Sequence, residues 1–157
     1  MDTKDFECCY ERHKLAVFRA AFAYCRNRAD AEDILQETFL KRFRYDKDFR
    51  DAEAEKAWLL RVAVNASKDL LKSARRRYDV SLEEALTMCE TPDERTVTEA
   101  IMQLDPKYRM PVHLYYIEGY TVPEIGSILG VSETAVQTRL YRARKLLRNA
   151  LGKELAL

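Results

Sequence analysis

The sequence is poor in the residues that interrupt helices, with four glycines and four prolines among 157 residues. Apolar side chains recur instead at steps of three and four through much of the chain, as in Val136, Leu140, Ala143 and Leu147. This period favours amphipathic helices. A chain of this length has room for one ordinary domain or two small ones. The composition therefore predicts an all-α protein.

Residues that hold metals or perform nucleophilic chemistry are also scarce. Only His13 and His113 are present, the four cysteines have no CxxC spacing, and no glycine-rich phosphate loop occurs. We therefore expect no cofactor and no metal, and we expect that the protein is not an enzyme. The cysteines are predicted to be free thiols, with Cys25 in the core, although the adjacent pair Cys8 and Cys9 leaves a redox role open.

Long apolar runs are absent as well. None approaches the roughly 18 residues needed to cross a bilayer. The N-terminal stretch MDTKDFECCYERHK carries acids where a signal peptide would be basic and then apolar. We expect a cytoplasmic protein that does not insert into a membrane.

The net charge is only +1, but it is unevenly distributed. Residues 56–77 carry seven basic side chains against the single acid Asp69, whereas residues 79–105 carry eight acids against the single base Arg95. Further basic residues follow near the C-terminus. The near-zero total conceals two basic blocks that flank an acidic connector.

The N-terminal half is expected to form three helices, with breaks near Asn27 or Asp30 and in the polar stretch 46–56, where Phe49 is the one large apolar residue. Asn65 interrupts the third apolar run, so it either caps a turn or is exposed for a ligand. The predicted packing residues are Leu15, Phe18, Ala21, Phe22 and Cys25 in the first helix, Ile34, Leu35, Thr38, Phe39 and Phe43 in the second, and Trp58, Leu59, Val62, Leu70 and Leu71 in the third.

The C-terminal half is expected to form four helices after an acidic linker at 78–91. The first starts at Pro92, and the second runs from Tyr108 until Gly119 stops it. The apolar residues of the second helix include Met110, Val112, Leu114 and Ile117.

The last two helices of this half form a helix-turn-helix pattern. Thr121 can cap a short helix that Gly130 ends, and Ser132 is a suitable N-cap for the next. Two short helices joined through a glycine-containing turn are typical of this motif. Small Gly126 allows the two helices to cross closely.

The outward face of the final helix starts with hydrogen-bonding groups and ends in positive charge, which suits base edges first and phosphates after. No acid occurs between Glu133 and Arg148. An ordinary amphipathic hairpin with a solvated basic face is the alternative. The outward residues are Thr134, Gln137, Thr138, Tyr141, Arg142, Lys145 and Arg148.

Three blocks in order resemble an extracytoplasmic-function (ECF) sigma factor, a compact two-domain class of bacterial RNA polymerase subunits. They are DAEDILQETFLKRF at 30–43, AWLLRVAVNASKDLLKSARRR at 57–77, and LDPKYRMPVHLYYIEGYTVPEIGSILGVSETAVQTRLYRARKLLR at 104–148. The resemblance implies a region 2 domain at 1–77 for core binding and the −10 element, a linker at 78–91, and a region 4 domain at 92–157 for the −35 element. It also implies promoter DNA, the β′ clamp helices and the β flap of core polymerase, and an anti-sigma factor as partners.

The resemblance assigns a role to individual residues at three places. Core polymerase binding falls to Asp33, Gln36 and Glu37. Recognition and melting of the −10 element fall to Phe49, Trp58, Asn65, Lys68, Lys72, Arg75, Arg76 and Arg77. Recognition of the −35 element falls to Thr134, Gln137, Thr138, Arg139, Tyr141, Arg142, Arg144 and Lys145.

The chain departs from the family pattern at three positions. Gly126 stands where Ala is usual, Gln137 where Lys or Arg is frequent, and Tyr115 where some members have a phosphate-binding Arg. The −35 sequence that this protein recognises therefore cannot be inferred from that of its relatives. The Gln137 side chain can pair with adenine. The main alternative function is a stand-alone helix-turn-helix regulator, which would need neither Asn65 nor the block at 30–43.

Overall fold

The structure is a computed structural model that describes residues 1–74 and 92–152, and it divides into two compact units, Met1–Arg77 and Tyr78–Leu157. The regular structure in these ranges is helical, as predicted. The predicted acidic linker 78–91 and the basic residues Arg75, Arg76 and Arg77 lie outside the described residues. Within the described ranges, no helix has the length and apolarity required to cross a membrane.

The N-terminal unit contains three helices, α1 (Thr3–Cys25), α2 (Arg28–Arg44) and α3 (Ala52–Ala74). Short polar side chains cap their starts, since Asp2 accepts from the Asp5 N–H, Asn27 from the Asp30 N–H, and Asp51 from the Ala54 N–H at 2.8 Å. Helix α3 thus begins earlier than the sequence pattern indicated. Its first turn includes residues that the pattern placed in a loop.

Three residues predicted to pack inward are exposed instead. Leu15 is 59% exposed because Val17, two positions and about 200° further round α1, is fully buried. Phe43 is 48% exposed because Arg42 takes the buried position beside it. Ile117 is exposed at the end of a turn whose wider winding shifts the helical register.

A buried ionic cluster joins the three helices of the N-terminal unit. One Glu55 oxygen accepts from Arg42 Nε at 2.8 Å, and the other lies 3.2 Å from His13 Nε2. All three residues are at least nine-tenths buried. Because each comes from a different helix, a single carboxylate of α3 fixes the positions of α1 and α2.

Cys9 lies beside this cluster and is buried, whereas its neighbour Cys8 is exposed. Burial, together with the negative charge of Glu55, raises the pKa of the Cys9 thiol to about 11. A thiol with so high a pKa is a poor nucleophile near neutral pH. Cys25 is buried in the core, as predicted.

The C-terminal unit contains α4 (Pro92–Met102), α5 (Pro106–Val112), α6 (Val122–Leu129) and α7 (Glu133–Leu151). Helix α5 continues into a π-helical turn, His113–Ile117, which was not expected from the sequence. The buried guanidinium of Arg109 donates to the Leu104 carbonyl and so ties α5 to the preceding turn. These elements support α6 and α7.

The helix-turn-helix forms as predicted. Thr121 and Glu124 make a reciprocal capping box at the start of α6, and Gly130 ends that helix in the left-handed region at φ 71°. A Cβ added to Gly126 would lie 2.8 Å from the Val131 carbonyl oxygen. Glycine at 126 therefore lets the turn approach α6 more closely than any other residue would.

The ionic cluster predicts that the N-terminal unit loses stability on acidification. Burial lowers the pKa of His13 below its usual 6.5, an effect that the Glu55 carboxylate only partly offsets. Burial alone would raise the pKa of Glu55, but the hydrogen bond and charge of Arg42 outweigh it and hold this pKa below 4.5. In both cases the unfolded chain binds the proton more readily than the folded chain does. The stability that each group contributes at pH values above its usual pKa is therefore lost as the pH falls.

We expect the free energy of unfolding to drop between pH 7.5 and pH 5.5, and to drop less in His13→Gln, which has no proton to bind in this range. Urea titrations followed by circular dichroism at the two pH values measure both drops. The second histidine of the chain, His113, is retained in the variant and serves as an internal control. An equal drop in the two proteins would show that His13 does not contribute.

Candidate nucleic-acid interface

Helix α7 presents the outward face that the sequence predicted. Ser132 caps it, accepting from the Ala135 N–H at 3.1 Å, and the predicted inner stripe Val136, Leu140, Ala143 and Leu147 is fully buried. Because this stripe is buried, the opposite side of α7 faces solvent. Exposed there are Thr134, Gln137, Thr138, Tyr141, Arg142 and Lys145.

The charge on α7 is graded along its length. Neutral hydrogen-bonding groups occupy the first half of the exposed face, and Arg142 and Lys145 occupy the second. Lys145 Nζ lies 5.6 Å from the centre of the Tyr141 ring, which keeps the ammonium close to the helix. The gradient suits a helix whose N-terminal half approaches base edges while its C-terminal half follows phosphates.

Three basic residues of α7 are half-buried, namely Arg139, Arg144 and Arg148. Of these, Arg148 was predicted to face outward. Arg144 Nη1 donates to the Tyr116 hydroxyl at 2.8 Å, which links α7 to the π-helical turn. Its guanidinium therefore braces the helix as well as adding positive charge.

A second polar stripe runs along α3. Trp58, Asn65 and Lys72 are spaced seven residues apart, so they lie on one side of the helix at steps of about 10 Å. Asn65 and Lys72 are exposed, while Trp58 and Lys68 are half-buried. We call Trp58, Asn65, Lys68 and Lys72 the α3 stripe.

Asn65 is an exposed residue inside α3. Its neighbours Val64 and Ala66 are buried, and the buried polar side chain of this stretch is Ser67, whose hydroxyl donates to the Ala63 carbonyl at 2.8 Å. Asn65 caps no turn, since α3 continues through it to Ala74. Its amide is therefore accessible from solvent.

Phe49 belongs to an aromatic cluster at the start of the α3 stripe. Its ring is nearly parallel to that of Tyr45, with centroids 5.5 Å apart, and lies 5.6 Å from the Trp58 ring. The guanidinium of Arg42 lies 4.8 Å from the Phe49 ring. Tyr45 and Arg42 were not predicted as site residues, because no local pattern distinguishes an aromatic or basic residue at a helix end from a surface one.

A cleft of about 590 Å³ opens between the start of α1, the loop after α2 and the start of α3. Phe49, Tyr45 and Glu55 are on its wall, whereas Asn65 and Trp58 are not. The structure therefore places Phe49 against Trp58 but does not bring Phe49 and Asn65 onto one cleft.

The acidic face of α2 is exposed. Asp33, Gln36 and Glu37 lie on the side opposite the buried Ile34 and Phe39. Glu37 pairs with Lys41 at 3.4 Å, and both side chains are about half exposed, so the pair adds little stability.

The same face continues at Leu40, which is 52% exposed and was not among the residues predicted from the sequence. Leu40 lies seven residues after Asp33, a spacing that places both on one side of a helix and could have identified it.

In the part of the chain that the structure describes, no group of three or more His, Cys, Asp or Glu side chains is arranged to hold a metal ion. The candidate functional surfaces are the exposed face of α7, the α3 stripe with its aromatic cluster, and the acidic face of α2.

Comparison with known proteins agrees with this division. Residues 9–77 match the family model for sigma-70 region 2, and residues 94–147 match that for sigma-70 region 4. These matches contain the α3 stripe and the helix-turn-helix, respectively.

Two similar proteins span nearly the whole chain. RNA polymerase sigma factor SigV of Bacillus subtilis is 32% identical over 151 residues, covering 93% of this chain and 90% of that protein. ECF RNA polymerase sigma factor SigM of Mycobacterium tuberculosis is 32% identical over 155 residues, covering 96% of this chain and 79% of that protein.

A solved structure shares the fold. The sigma factor RpoE, in complex with the anti-sigma factor NepR from Bartonella quintana, aligns with a TM-score of 0.77 at 20% identity, covering 96% of this chain and 98% of that one. Two family models in order, with identity above 30% to proteins matched over most of their length, show that the chain belongs to the sigma-70 family, among the ECF RNA polymerase sigma factors.

Proposed function

We propose that the protein docks on core RNA polymerase and directs it to specific promoters, with residues 1–77 acting at the −10 element and residues 92–157 at the −35 element. The observation that carries this proposal is the exposed Asn65 in the α3 stripe, on the same chain as the graded face of α7. A stand-alone regulator would need the helix-turn-helix but not Asn65. The protein acts by binding in the cytoplasm and performs no bond chemistry itself.

The proposed docking site for the β′ clamp helices is the acidic face of α2. Asp33, Gln36 and Glu37 supply acceptors, and Leu40 adds an exposed apolar side chain beside them. An exposed apolar residue within a charged surface is typical of an interface whose centre becomes desolvated. The β flap is the proposed second contact, on the C-terminal unit.

At the −10 element we propose that the aromatic cluster and Asn65 engage bases of the non-template strand. Extruding a base costs a few kcal/mol, which stacking and edge hydrogen bonds must offset. Phe49 and Trp58 supply aromatic surface, and the Asn65 amide can donate and accept. Lys68, Lys72 and the basic residues Arg75, Arg76 and Arg77 are proposed to hold phosphates.

At the −35 element we propose that Gln137 and Arg142 contact base edges in the major groove. A Gln side chain can pair bidentately with adenine and an Arg side chain with guanine. Thr134, Thr138 and Tyr141 flank these contacts, while Lys145, Arg139 and Arg144 add positive charge near phosphates. The half-buried guanidinium of Arg144 also orients α7 through Tyr116.

An anti-sigma factor is the proposed further partner, since RpoE, which has this fold, was solved in complex with one. Such a protein would compete with core polymerase for the same surfaces. The inducing signal would then act on that partner.

Run-off transcription with purified core polymerase on a promoter library tests the proposal. We expect transcripts only when this chain is added to core polymerase. Binding of the chain to DNA alone should be weak and salt-dependent at a net charge of +1. We therefore also expect the chain to co-purify with core. Tight sequence-specific binding to duplex DNA without core, combined with no effect on core, would favour the regulator instead.

Charge reversal on α2 tests the docking face. We expect Asp33→Lys with Glu37→Lys to abolish binding to core while changing the free energy of unfolding by no more than about 0.5 kcal/mol, as for ordinary surface substitutions. Core binding is measured by co-elution, and the fold by circular dichroism.

The chain offers a matched control on α1. Glu7 and Glu11 are also exposed acids four residues apart, and Glu11 pairs with Lys14 much as Glu37 pairs with Lys41. Glu7→Lys with Glu11→Lys makes the same change in net charge and should retain core binding. If the α2 variant also binds core, the acidic face is only a solvated surface.

Substitution of Asn65 and Gln137 separates melting from duplex recognition. We expect Asn65→Ala to change the −10 base preference and slow open-complex formation without changing the −35 preference. We expect Gln137→Ala to relax one −35 position, by about 1–3 kcal/mol of discrimination, and to leave melting on a pre-opened template intact. Permanganate footprints and base substitutions at both elements measure these effects.

Ser127→Ala, an exposed change on α6 outside both surfaces, serves as the control and should leave both preferences unaltered. A uniform loss on every template, with the melting temperature lowered in parallel, would make Asn65 and Gln137 structural residues.

A further inference from the structure

The loop from Tyr45 to Asp51 connects α2 to α3 and is rich in charge. Five of its seven residues, 46–48 and 50–51, are exposed, and only Tyr45 and Phe49 are half-buried. Asp51 is fixed by its role as the cap of α3. The position of the remainder therefore depends on what holds Tyr45 and Phe49.

Arg42 contacts both of these residues. Its Nη1 donates to the Tyr45 carbonyl at 3.3 Å, and its guanidinium lies 4.8 Å from the centre of the Phe49 ring. Its Nε donates to Glu55 at 2.8 Å. One planar group thus bonds to the loop backbone, lies against the loop's aromatic side chain and is anchored to α3.

Glu55 holds Arg42 in this orientation. One of its oxygens accepts from Arg42, while the other lies 3.2 Å from His13 and 3.9 Å from the exposed Arg12. The carboxylate therefore has partners on α1 and α2 and cannot turn away from Arg42 without losing one of them. The orientation of the guanidinium is set by the packing of three helices.

Arg42 and Glu55 line the same cleft as Phe49, but they are only 5% and 7% exposed, so little of either side chain is accessible to DNA. We therefore expect them to affect promoter recognition mainly through the residues that they hold. We propose that Arg42 and Glu55 are positioning residues that fix the loop, and Phe49 with it, for capture of a −10 base. The inference rests on the −10 role proposed above.

Arginine is required at position 42 by this arrangement. A lysine would keep the charge and could pair with Glu55. Its single ammonium, however, has no planar face to lie against Phe49, and it lacks the forked donors with which a guanidinium also bonds to the Tyr45 carbonyl. Arg42→Lys should therefore leave the helices folded while loosening the loop. Glu55→Gln, which keeps an acceptor for Arg42 without the charge, should act in the same direction but more weakly.

The single tryptophan of the chain reports on the loop directly, because the Trp58 ring lies 4.8 Å from the Tyr45 ring and 5.6 Å from the Phe49 ring. In the free full-length protein we expect Arg42→Lys to increase acrylamide quenching of Trp58 by about twofold, as the loop exposes the indole more often. In the polymerase complex we expect base discrimination at the −10 element to fall by about fivefold to tenfold, the size of one weakened base contact. Discrimination at the −35 element should not change.

Arg44→Lys is the matched control, because it makes the same substitution two residues away at an exposed position of α2. It should leave quenching and both discriminations as in the parent protein. Unaltered quenching and −10 discrimination in Arg42→Lys would overturn the inference. So would a parallel loss at −10 and −35 that follows the melting temperature, since that is the result of a purely structural role.

Phe49→Ala separates this inference from the function on which it rests. If Phe49→Ala removes −10 discrimination and Arg42→Lys does not, the positioning role alone is wrong. If Phe49→Ala leaves −10 discrimination intact, the −10 role of Phe49 is wrong and the inference falls with it. Loss in both variants, with increased quenching in Arg42→Lys, supports the positioning role.

Discussion

The N-terminal unit depends on one buried carboxylate. A charge removed from water is tolerated only when its partners are held close, so Glu55 requires His13 of α1 and Arg42 of α2 to be in place. This requirement excludes arrangements in which the three helices slide past one another, which apolar contacts alone would permit. The same pairing aligns the acidic face of α2 with the α3 stripe, so the two surfaces proposed for polymerase and for DNA have a fixed relation within this unit.

Local signals made most of the fold predictable. The caps Thr121 and Ser132 and the glycine at 130 act through their immediate neighbours, so the helix-turn-helix could be located from the sequence. Glu55 could not be identified as a central residue, because an acid in the first turn of a helix is ordinary and only the packing of α1 and α2 buries it. The inward faces assigned to Leu15 and Phe43 were wrong for a similar reason, since Val17 and Arg42 took the buried positions.

The candidate sites divide in the same way. The face of α7 follows from helical period, since burying Val136 and Leu140 leaves Gln137 and Tyr141 outside. The α3 stripe and the acidic face of α2 owe their proposed roles to the family resemblance, because an exposed Asn or Asp has no pattern of its own. Tyr45 and Arg42 could not be predicted because their contacts with Trp58 and Phe49 depend on the loop folding back on α3, which no sequence period encodes.

The missing side chain at Gly126 limits how this protein can exchange parts with its relatives. A methyl group there would meet the Val131 carbonyl at 2.8 Å, so α6 and the turn before α7 are matched to each other at a spacing that alanine does not allow. A chimera that takes the recognition helix alone from a relative with alanine at this position would join two helices set for different separations. Promoter specificity is therefore expected to transfer between such proteins only when the two helices and their turn move as one unit.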